Sequence, residues 1–330
     1  MANQHETVRT DRACPLTGSY EAMVVSRRAR EGHPLRNVMS TSSGLVYVDP
    51  LPVEDLAQYY REEYRVSYKK TVVPRRRHVF RAAKVALMRL GHCEGLVRPG
   101  MKSLDVGAGG GEWVYLMRRL GCDAVGVEPN EGYGSFARQQ YDVEVFLGMY
   151  RDAVFQRGSF DLVTLFQVLE HLAEPVEDLR AIADYLKPGG LFVIEVPDIL
   201  FPGMHFRHKW HDGHLYGFDA RTLEAVANRA GLRTVSIKTL PGNIFAVFEK
   251  VERGDDEFFS LEGHFEEARE ALFGGRRKYW ALPETYLKAP RRIFKTVRER
   301  AVSRMIAEPR KILDHVYNAA APEKDEASDT

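Results

Sequence analysis

Short apolar runs alternate with helical segments between residues 101 and 251, and this alternation limits the fold more than any other feature of the sequence. Seven runs have the β-branched and aromatic character of strands: KSLDVG, DAVGVE, VEVFLG, FDLVTLF, GLFVIEVP, LRTVSIKTL and NIFAVFEKV. The helical spans between them lie at 111–120, 132–141, 174–186 and 219–231. Because parallel strands need helical crossovers and are buried on both faces, the pattern predicts an α/β fold with a mostly parallel sheet. Only PGN separates the last two runs, so we expect a hairpin and an antiparallel strand at the end of the sheet.

The composition is that of a globular protein, and it argues against several classes of partner. The net charge of +1 creates no field that would attract nucleic acid. The apolar runs are shorter than the roughly 18 residues of a membrane helix, and the first residues lack the apolar core of a signal peptide. The three cysteines are scattered and imply no disulfide framework. We therefore expect a cytoplasmic protein with no nucleic-acid partner and no membrane span.

The flanking regions differ from the alternating core. The N-terminal part is rich in turn formers, the next segment is helical, and the C-terminal part is helical, basic and ends in a tail that we expect to be disordered. This organisation predicts a small N-terminal module, a helical lid or linker, a core and a helical extension, at residues 1–50, 51–95, 96–251 and 252–330 respectively.

The stretch LDVGAGGGEW closes the first predicted core strand and opens a helix. Gly107, Gly109 and Gly111 let the backbone turn tightly and approach a ligand closely. The dinucleotide fingerprint has its last glycine where this chain has Glu112, and an acid at a helix N-terminus would repel a pyrophosphate. Together with Asp105, this acid favours a ligand that has a cationic part and no phosphate.

With three later motifs, VGVEPN, GSFDLVTLFQVLEHL and LKPGGLFVIEVP, this loop resembles the class I S-adenosylmethionine-dependent methyltransferases over about residues 100–250. The resemblance implies a Rossmann-like sheet and S-adenosylmethionine as cofactor. It implies that Glu128 binds the ribose hydroxyls, that Asp152 bonds the adenine amine and that Tyr68 belongs to a lid. The full set of expected cofactor contacts is Asp105, Gly107, Gly109, Gly111, Glu128, Asp152, Gln167 and Tyr68.

The N-terminal stretches CPLTGS and STSSGLVYVDPLP resemble the zinc ribbon that begins a subset of these methyltransferases, which often act on sugars and other small metabolites. Of the four positions that hold zinc in that subset, Cys14 is retained, whereas Thr17, Ser40 and Ser43 carry hydroxyls. Structural zinc needs four nitrogen or sulfur donors. We therefore expect a ribbon-like module that has lost its metal; a turn-rich leader is the alternative.

Four histidines follow one another at three-residue spacing in HFRHKWHDGH, after the fifth strand. This spacing spreads side chains around a helix and alternates them across a strand, so it disfavours a four-histidine metal site, and we expect no metal ligands. HLYGFDARTLEAVANRAGL resembles a family segment whose histidine, here His214, acts as a general base. The resemblance places His211 and His171 near the substrate as further catalytic candidates, and it leaves His205 and His208 at the rim. The alternatives are that His214 caps the following helix or bonds a backbone carbonyl, and that His171 has a purely structural role.

These resemblances imply a methyltransferase acting on a small molecule, with a sugar or glycosylated metabolite as the favoured substrate and a hydroxyl or acidic carbon as nucleophile. The expected setting is secondary metabolism or glycan modification, and a homodimer stays open. Two alternatives remain: a non-catalytic partner protein that retains the fold, and a nicotinamide-dependent oxidoreductase, which Glu112 opposes.

Overall fold

The structure, a computed structural model, describes residues 6–52, 71, 73–251, 260–283, 285–287, 296, 299–301 and 304–319. Tyr68 and part of the predicted lid or linker, much of the basic C-terminal stretch and the acidic tail therefore lie outside the described residues. Among the described residues, no helix is long and apolar enough to cross a bilayer.

The N-terminal module is a small antiparallel sheet. Its strands are β1 (Thr7–Arg9), β2 (Glu21–Arg28), β3 (Pro34–Ser40) and β4 (Val46–Val48). They pair in chain order, and a fifth strand from far along the chain, β10 (Tyr216–Gly217), pairs with β4. The module is therefore joined to the core through the sheet itself.

The core is a seven-stranded, mostly parallel sheet, as the alternating pattern predicts. Its strands are β5 (Lys102–Val106), β6 (Asp123–Glu128), β7 (Glu144–Leu147), β8 (Phe160–Phe166), β9 (Leu186–Pro197), β11 (Leu232–Leu240) and β12 (Asn243–Lys250). Their order across the sheet is β11-β12-β9-β8-β5-β6-β7, and β12 is antiparallel to both of its neighbours.

The antiparallel strand is the last strand in the chain, as predicted. β12 lies one strand in from the edge, between β9 and β11. The burial of the two strands gives the reason: β12 has a continuous buried run from Ile244 to Phe248, whereas β11 is fully buried only at Leu232. The sheet covers the apolar strand and leaves the more polar one at the edge, where its exposed side chains meet water.

Helices cover both faces of this sheet. They are α1 (Arg76–His92), α2 (Glu112–Arg119), α3 (Glu131–Tyr141), α4 (Pro175–Ala183), α5 (Ala220–Arg229), α6 (His264–Ala281) and α7 (Pro309–Asn318). Side chains of α4 and α5 pack with Phe192 and Ile194 of β9, while side chains of α1, α2, α3 and α7 pack with Val193 from the opposite face of the same strand.

The described part of the C-terminal extension is helical, as predicted, and it packs on the rest of the molecule. α7 buries Ile312 and Val316 against the core, and the Tyr317 hydroxyl donates to the Glu112 carbonyl oxygen at 2.9 Å. α6 instead buries Ala268 and Leu272 against the N-terminal module. The extension thus helps to hold the module and the core together.

Hydroxyl hydrogen bonds link the positions that resemble zinc ligands. The Cys14 sulfur lies 3.2 Å from the Ser43 hydroxyl, and the Ser42 hydroxyl lies 2.6 Å from that of Thr17 and 3.0 Å from that of Ser40. The two turns of the module are therefore held by short polar contacts between neutral groups.

We predict that a Cys14→Ala variant has the same metal content as the wild type and loses roughly 1 kcal/mol of unfolding free energy, because it removes a buried sulfur and no metal ligand. Elemental analysis of tag-free protein and urea unfolding measure both quantities. A zinc ion in the wild type that disappears in Cys14→Ala would contradict the prediction.

Candidate active site

A cavity of about 640 Å³ lies at the carboxyl ends of the parallel strands. In open α/β sheets this edge is where ligands bind, because the connecting loops diverge there. The glycine loop after β5, the end of β6, the segments after β7 and β8, the loop between β9 and β10 and the turn between β11 and β12 line the cavity, and α1 also contributes. The N-terminal module supplies a further wall with Arg30, Asn37, Val46 and Tyr47.

The glycine loop brings backbone close to the cavity. Gly107, Gly109 and Gly111 have φ values of 81°, 57° and 83°, a region that side chains rarely adopt. A Cβ on Gly107 would lie 2.4 Å from a methyl group of Val168, so a side chain has no room there. Gly107 and Gly109 line the cavity, whereas Gly111 caps α2 and packs against Ala137 of α3.

Two buried carboxyl groups lie beside this loop. The Glu128 carboxylate accepts hydrogen bonds from the backbone N–H groups of Gly109 at 2.7 Å and Asn130 at 3.0 Å, which hold it at the end of β6. Asp105 accepts a hydrogen bond from the Thr164 hydroxyl at 2.7 Å. Burial raises the pKa of Asp105 from its ordinary value of 3.8 to about 7, although Thr164 and Arg89 act in the opposite direction. Both groups line the cavity, so an acidic wall faces any ligand.

Gln167 and Asp152 have different placements. Gln167 lies at the end of β8 with φ of 57°, an uncommon backbone conformation for a residue with a side chain, and it lines the cavity. The Asp152 side chain is exposed and accepts a hydrogen bond from the Met149 backbone at 3.3 Å. On this side Met149 and Tyr150 line the cavity. The fold brings Gln167 to the site, whereas it holds the Asp152 carboxylate against its own turn.

Three histidines meet in the cavity. The rings of His211 and His214 stack with centroids 4.4 Å apart, and the His171 ring meets His214 edge-on at 4.9 Å. His171 Nδ1 lies 2.5 Å from the Gly213 carbonyl oxygen; because that oxygen can only accept, Nδ1 carries the proton. Burial lowers the pKa of His214 well below its usual range and the pKa of His211 to about 4, so both rings are neutral at neutral pH.

The other two histidines of the stretch HFRHKWHDGH, His205 and His208, lie apart from this group. The His205 ring packs against Tyr279 and Trp280 of α6, and His208 lines the cavity without reaching the His171 and His214 contact. The helix-capping alternative for His214 is wrong. Asp219 caps α5 and accepts from the backbone N–H groups of Arg221 at 2.9 Å and Thr222 at 3.2 Å.

Three lining residues escaped the sequence analysis. Glu170 is 1% exposed and immediately precedes His171, and burial raises its pKa to about 8. Arg89 of α1 bonds Glu195 at 2.5 Å and lies over the Phe166 ring at 4.2 Å. The Lys209 ammonium donates to two backbone carbonyl oxygens at 2.6 and 2.8 Å. Glu170 and Lys209 lie within sequence stretches already singled out, GSFDLVTLFQVLEHL and HFRHKWHDGH, whereas Arg89 does not.

The comparisons with known proteins agree with this geometry. Residues 75–237, just under half of the chain, match the family model described as a methyltransferase domain. This segment is therefore similar to methyltransferase domains. The matched segment begins just before α1 and ends within β11, so it contains the glycine loop, both buried carboxyl groups and the three neighbouring histidines.

Curated relatives match part of the domain. A ubiquinone biosynthesis O-methyltransferase of Ruegeria pomeroyi is 40% identical over 104 residues, which cover 29% of this chain and 42% of the relative. A protein of the same name from Acinetobacter baylyi is 35% identical over 106 residues, covering 30% of this chain and 44% of the relative. The chain therefore spans less than half the length of these curated relatives.

Solved structures show a weaker likeness. The structure of a Burkholderia thailandensis 1,6-didemethyltoxoflavin-N1-methyltransferase has a TM-score of 0.46 and 18% identity, with coverage of 64% of this chain and 97% of that chain. A likeness of this size carries no conclusion about function.

We predict that an Asp105→Asn variant is more stable than the wild type at pH 8 and equally stable near pH 4. The folded-state pKa of Asp105 is raised from 3.8 to about 7, so the folded protein holds this proton across a range in which the unfolded chain releases it. The wild type then loses up to about 1.4 kcal/mol of unfolding free energy per pH unit as the pH rises through that range.

Urea unfolding of both proteins at a series of pH values measures this difference. Thr164→Val is a useful comparison, because it removes the hydroxyl partner and retains the carboxyl group. An identical pH dependence in the wild type and in Asp105→Asn would show that Asp105 has an ordinary pKa.

Proposed function

We propose that the protein transfers a methyl group from S-adenosylmethionine to a hydroxyl group of a small molecule held in the cavity. One observation carries the proposal: a single cavity contains both the glycine loop with its acidic wall and a group of three neighbouring histidines. The glycine loop with its acidic wall suits a cationic cofactor, and the histidines suit an acceptor that must lose a proton.

In this proposal, Asp105, Gly107, Gly109, Glu128 and Gln167 hold the cofactor. The loop fits a ligand that approaches the backbone, since a Cβ at Gly107 has no room. The carboxylate of Glu128 suits the two ribose hydroxyls, and its hydrogen bonds with backbone N–H groups fix its orientation beforehand.

Of the other residues expected to contact the cofactor, Gly111 and Asp152 are not among the described residues that line the cavity. Gly111 supports the turn from behind, through its contact with α3. Asp152 is the proposed acceptor for the adenine amine, and its Oδ2 also accepts a hydrogen bond from the Met149 backbone. The proposed lid residue Tyr68 lies outside the described residues.

The chain has two tasks in the chemical step. The cofactor supplies a methyl group already activated by the positive sulfur, so alignment of the acceptor is the first task, worth an effective molarity of about 10⁵–10⁸ M. The second is removal of the hydroxyl proton, worth roughly 10²–10⁴ in rate. His214 is the proposed base, with His211 and His171 as its neighbours; a neutral imidazole can accept a proton.

A sugar or glycosylated metabolite is the proposed acceptor class. The wall from the N-terminal module places Arg30, Asn37 and Tyr47 on the cavity, and His208 adds another polar group. Such side chains can bond several hydroxyls at once. This choice would place the reaction in secondary metabolism or glycan modification.

A phenolic acceptor is the second candidate. It is supported by the names of the curated relatives, which are O-methyltransferases of ubiquinone biosynthesis. These names also favour a hydroxyl over an acidic carbon as nucleophile. A panel of nucleotide sugars, glycosides and phenols, assayed with radiolabelled methyl donor, separates the two acceptor classes.

The N-terminal module is, in this proposal, a zinc ribbon that has lost its metal and retains its place beside the acceptor. Its hydrogen-bonded cysteine and hydroxyl positions support this origin. The module then serves as a wall of the site.

We predict that Glu128→Ala weakens S-adenosylmethionine binding by about 10²-fold or more, since a charge-assisted hydrogen bond is worth roughly 1.5–3 kcal/mol and two are lost. Calorimetry measures the affinity, with Glu131→Ala as a matched control, because Glu131 is exposed on the first turn of α3.

The same titrations test the alternatives. Binding of NADH in place of S-adenosylmethionine would favour the oxidoreductase, and binding of neither would favour a non-catalytic partner protein. Full affinity in Glu128→Ala would remove Glu128 from the cofactor site.

We also predict that His214→Ala lowers methyl transfer by roughly 10²-fold or more and leaves S-adenosylmethionine affinity nearly unchanged. His205→Ala is the control, because its ring packs on α6 away from the three neighbouring histidines. Single-turnover assays with an acceptor from the panel give the rates. Wild-type turnover in His214→Ala would show that the proton leaves by another route.

A further inference from the structure

We propose that Glu170, His171 and His214 form a binding site for one divalent first-row transition-metal ion, open to the cavity. The inference rests on the proposed function in one respect: it takes this part of the cavity as the place of the acceptor. The spacing of the loop histidines argues against a metal site made by those four alone. The fold instead brings one of them, His214, close to Glu170 and His171, which follow β8.

The three side chains have compatible positions. One ligand atom from each residue lies within 4.8 Å of the corresponding atoms of the other two. Ligand bonds of about 2.1 Å in a tetrahedron place the donor atoms roughly 3.4 Å apart. Small rotations of the side chains would therefore bring the donors from their present positions to bonding distance.

Glu170 provides the strongest evidence. Its side chain is 1% exposed, and among the described residues neither carboxyl oxygen has a hydrogen-bond partner. A buried carboxyl group without partners loses the hydrogen bonds that water gives it in the unfolded chain. A cation bound to these oxygens would compensate for this loss. The backbone of Glu170 is held in place, because its carbonyl oxygen accepts from the Leu215 N–H at 2.7 Å.

His171 has the orientation of a metal ligand. Its Nδ1 proton goes to the Gly213 carbonyl oxygen, and its Nε2 lies 3.8 Å from Oε1 of Glu170. Metal-bound histidines commonly donate their second ring proton to a backbone carbonyl in this way, which fixes the ring and its tautomer. Gly213 directly precedes His214, so the same hydrogen bond also positions the third ligand.

The donor set selects a class of ion. Two imidazoles and one carboxylate suit Zn²⁺, Co²⁺ or Mn²⁺, whereas Mg²⁺ and Ca²⁺ prefer oxygen donors throughout. Three protein ligands leave a coordination position for an oxygen in the cavity.

An acceptor hydroxyl in the open position would lose its proton more easily, because a bound cation lowers the pKa of a coordinated oxygen. The proton would pass to solvent in the open cavity. The oxygen then forms a bond to the methyl carbon as the carbon–sulfur bond breaks, and the electron pair of that bond remains on sulfur. The products are a methyl ether and S-adenosylhomocysteine. His214 acts in this scheme as a ligand, in place of its role as a base.

The test uses full-length, tag-free protein that has been treated with a chelator and then titrated with Co²⁺, followed by visible absorption, and with Zn²⁺, followed by calorimetry. We expect one ion per chain. Loss of outer-shell partners alone typically costs 10–100-fold in metal affinity, so loss of a direct ligand in Glu170→Gln or His214→Gln should cost about 10²-fold or more. His208→Ala should bind as the wild type does, because His208 lines the same cavity outside the three ligands.

Two results would overturn the proposal: no stoichiometric binding of either ion by the wild type, or equal affinity in the wild type, Glu170→Gln and His214→Gln. If Glu170→Gln fails to fold, as judged by thermal unfolding, His214→Gln decides alone. Calorimetry with S-adenosylmethionine separates this result from the proposed function. Cofactor binding without metal binding removes the metal site only, whereas metal binding without cofactor binding removes the methyltransferase proposal.

Discussion

Burial of both faces of the seven-stranded sheet determines where the functional side chains lie. Successive residues of β9 and β12 alternate between two apolar layers, so a slip by one residue would move each side chain into the opposite layer, where the packing does not fit it. The register of the strands is therefore fixed, and so are the residues at their carboxyl ends. Glu128 ends β6, and Gln167 and Glu170 follow β8; these positions meet at one edge because the strands are parallel.

A second constraint joins this edge to the N-terminal module. The strand β10 has two residues and, within the described part of the chain, its ladder partner is β4 of the module. The Val48 N–H donates to the Leu215 carbonyl oxygen at 2.9 Å, and the Arg30 N–H donates to the Trp210 carbonyl oxygen at 2.8 Å. The loop with His211 and His214 is thus clamped between the two sheets. A module beside the core therefore positions a loop at the centre of the site.

Much of the core could be predicted from the sequence because its signals are local. The strands β8, β9 and β12 contain continuous buried, mostly apolar runs, and the glycines of the loop have φ values that the turn requires. A hairpin can join the sheet through either of its strands. To predict which of β11 and β12 lies at the edge, the apolar character of the two strands must be compared. The approach of Glu170 to His214 could not be predicted, because it depends on how the loop after β9 returns over the end of β8. The orientation of the Asp152 side chain also could not be predicted, because it depends on whether the carboxylate bonds its own turn or faces the cavity.

The distribution of charge around the cavity links the two ends of the site. Three arginines line it, and each has a carboxylate partner: Arg30 with Glu31 at 2.7 Å, Arg81 with Glu299 at 2.6 Å and Arg89 with Glu195 at 2.5 Å. The buried carboxyl group of Asp105 has the Thr164 hydroxyl as its hydrogen-bond partner. Buried carboxylates are stable when a cation or several donors compensate for lost water. A sulfonium cofactor beside Asp105 and a metal ion beside Glu170 would supply positive charge at both ends, with the methyl group and its acceptor between them.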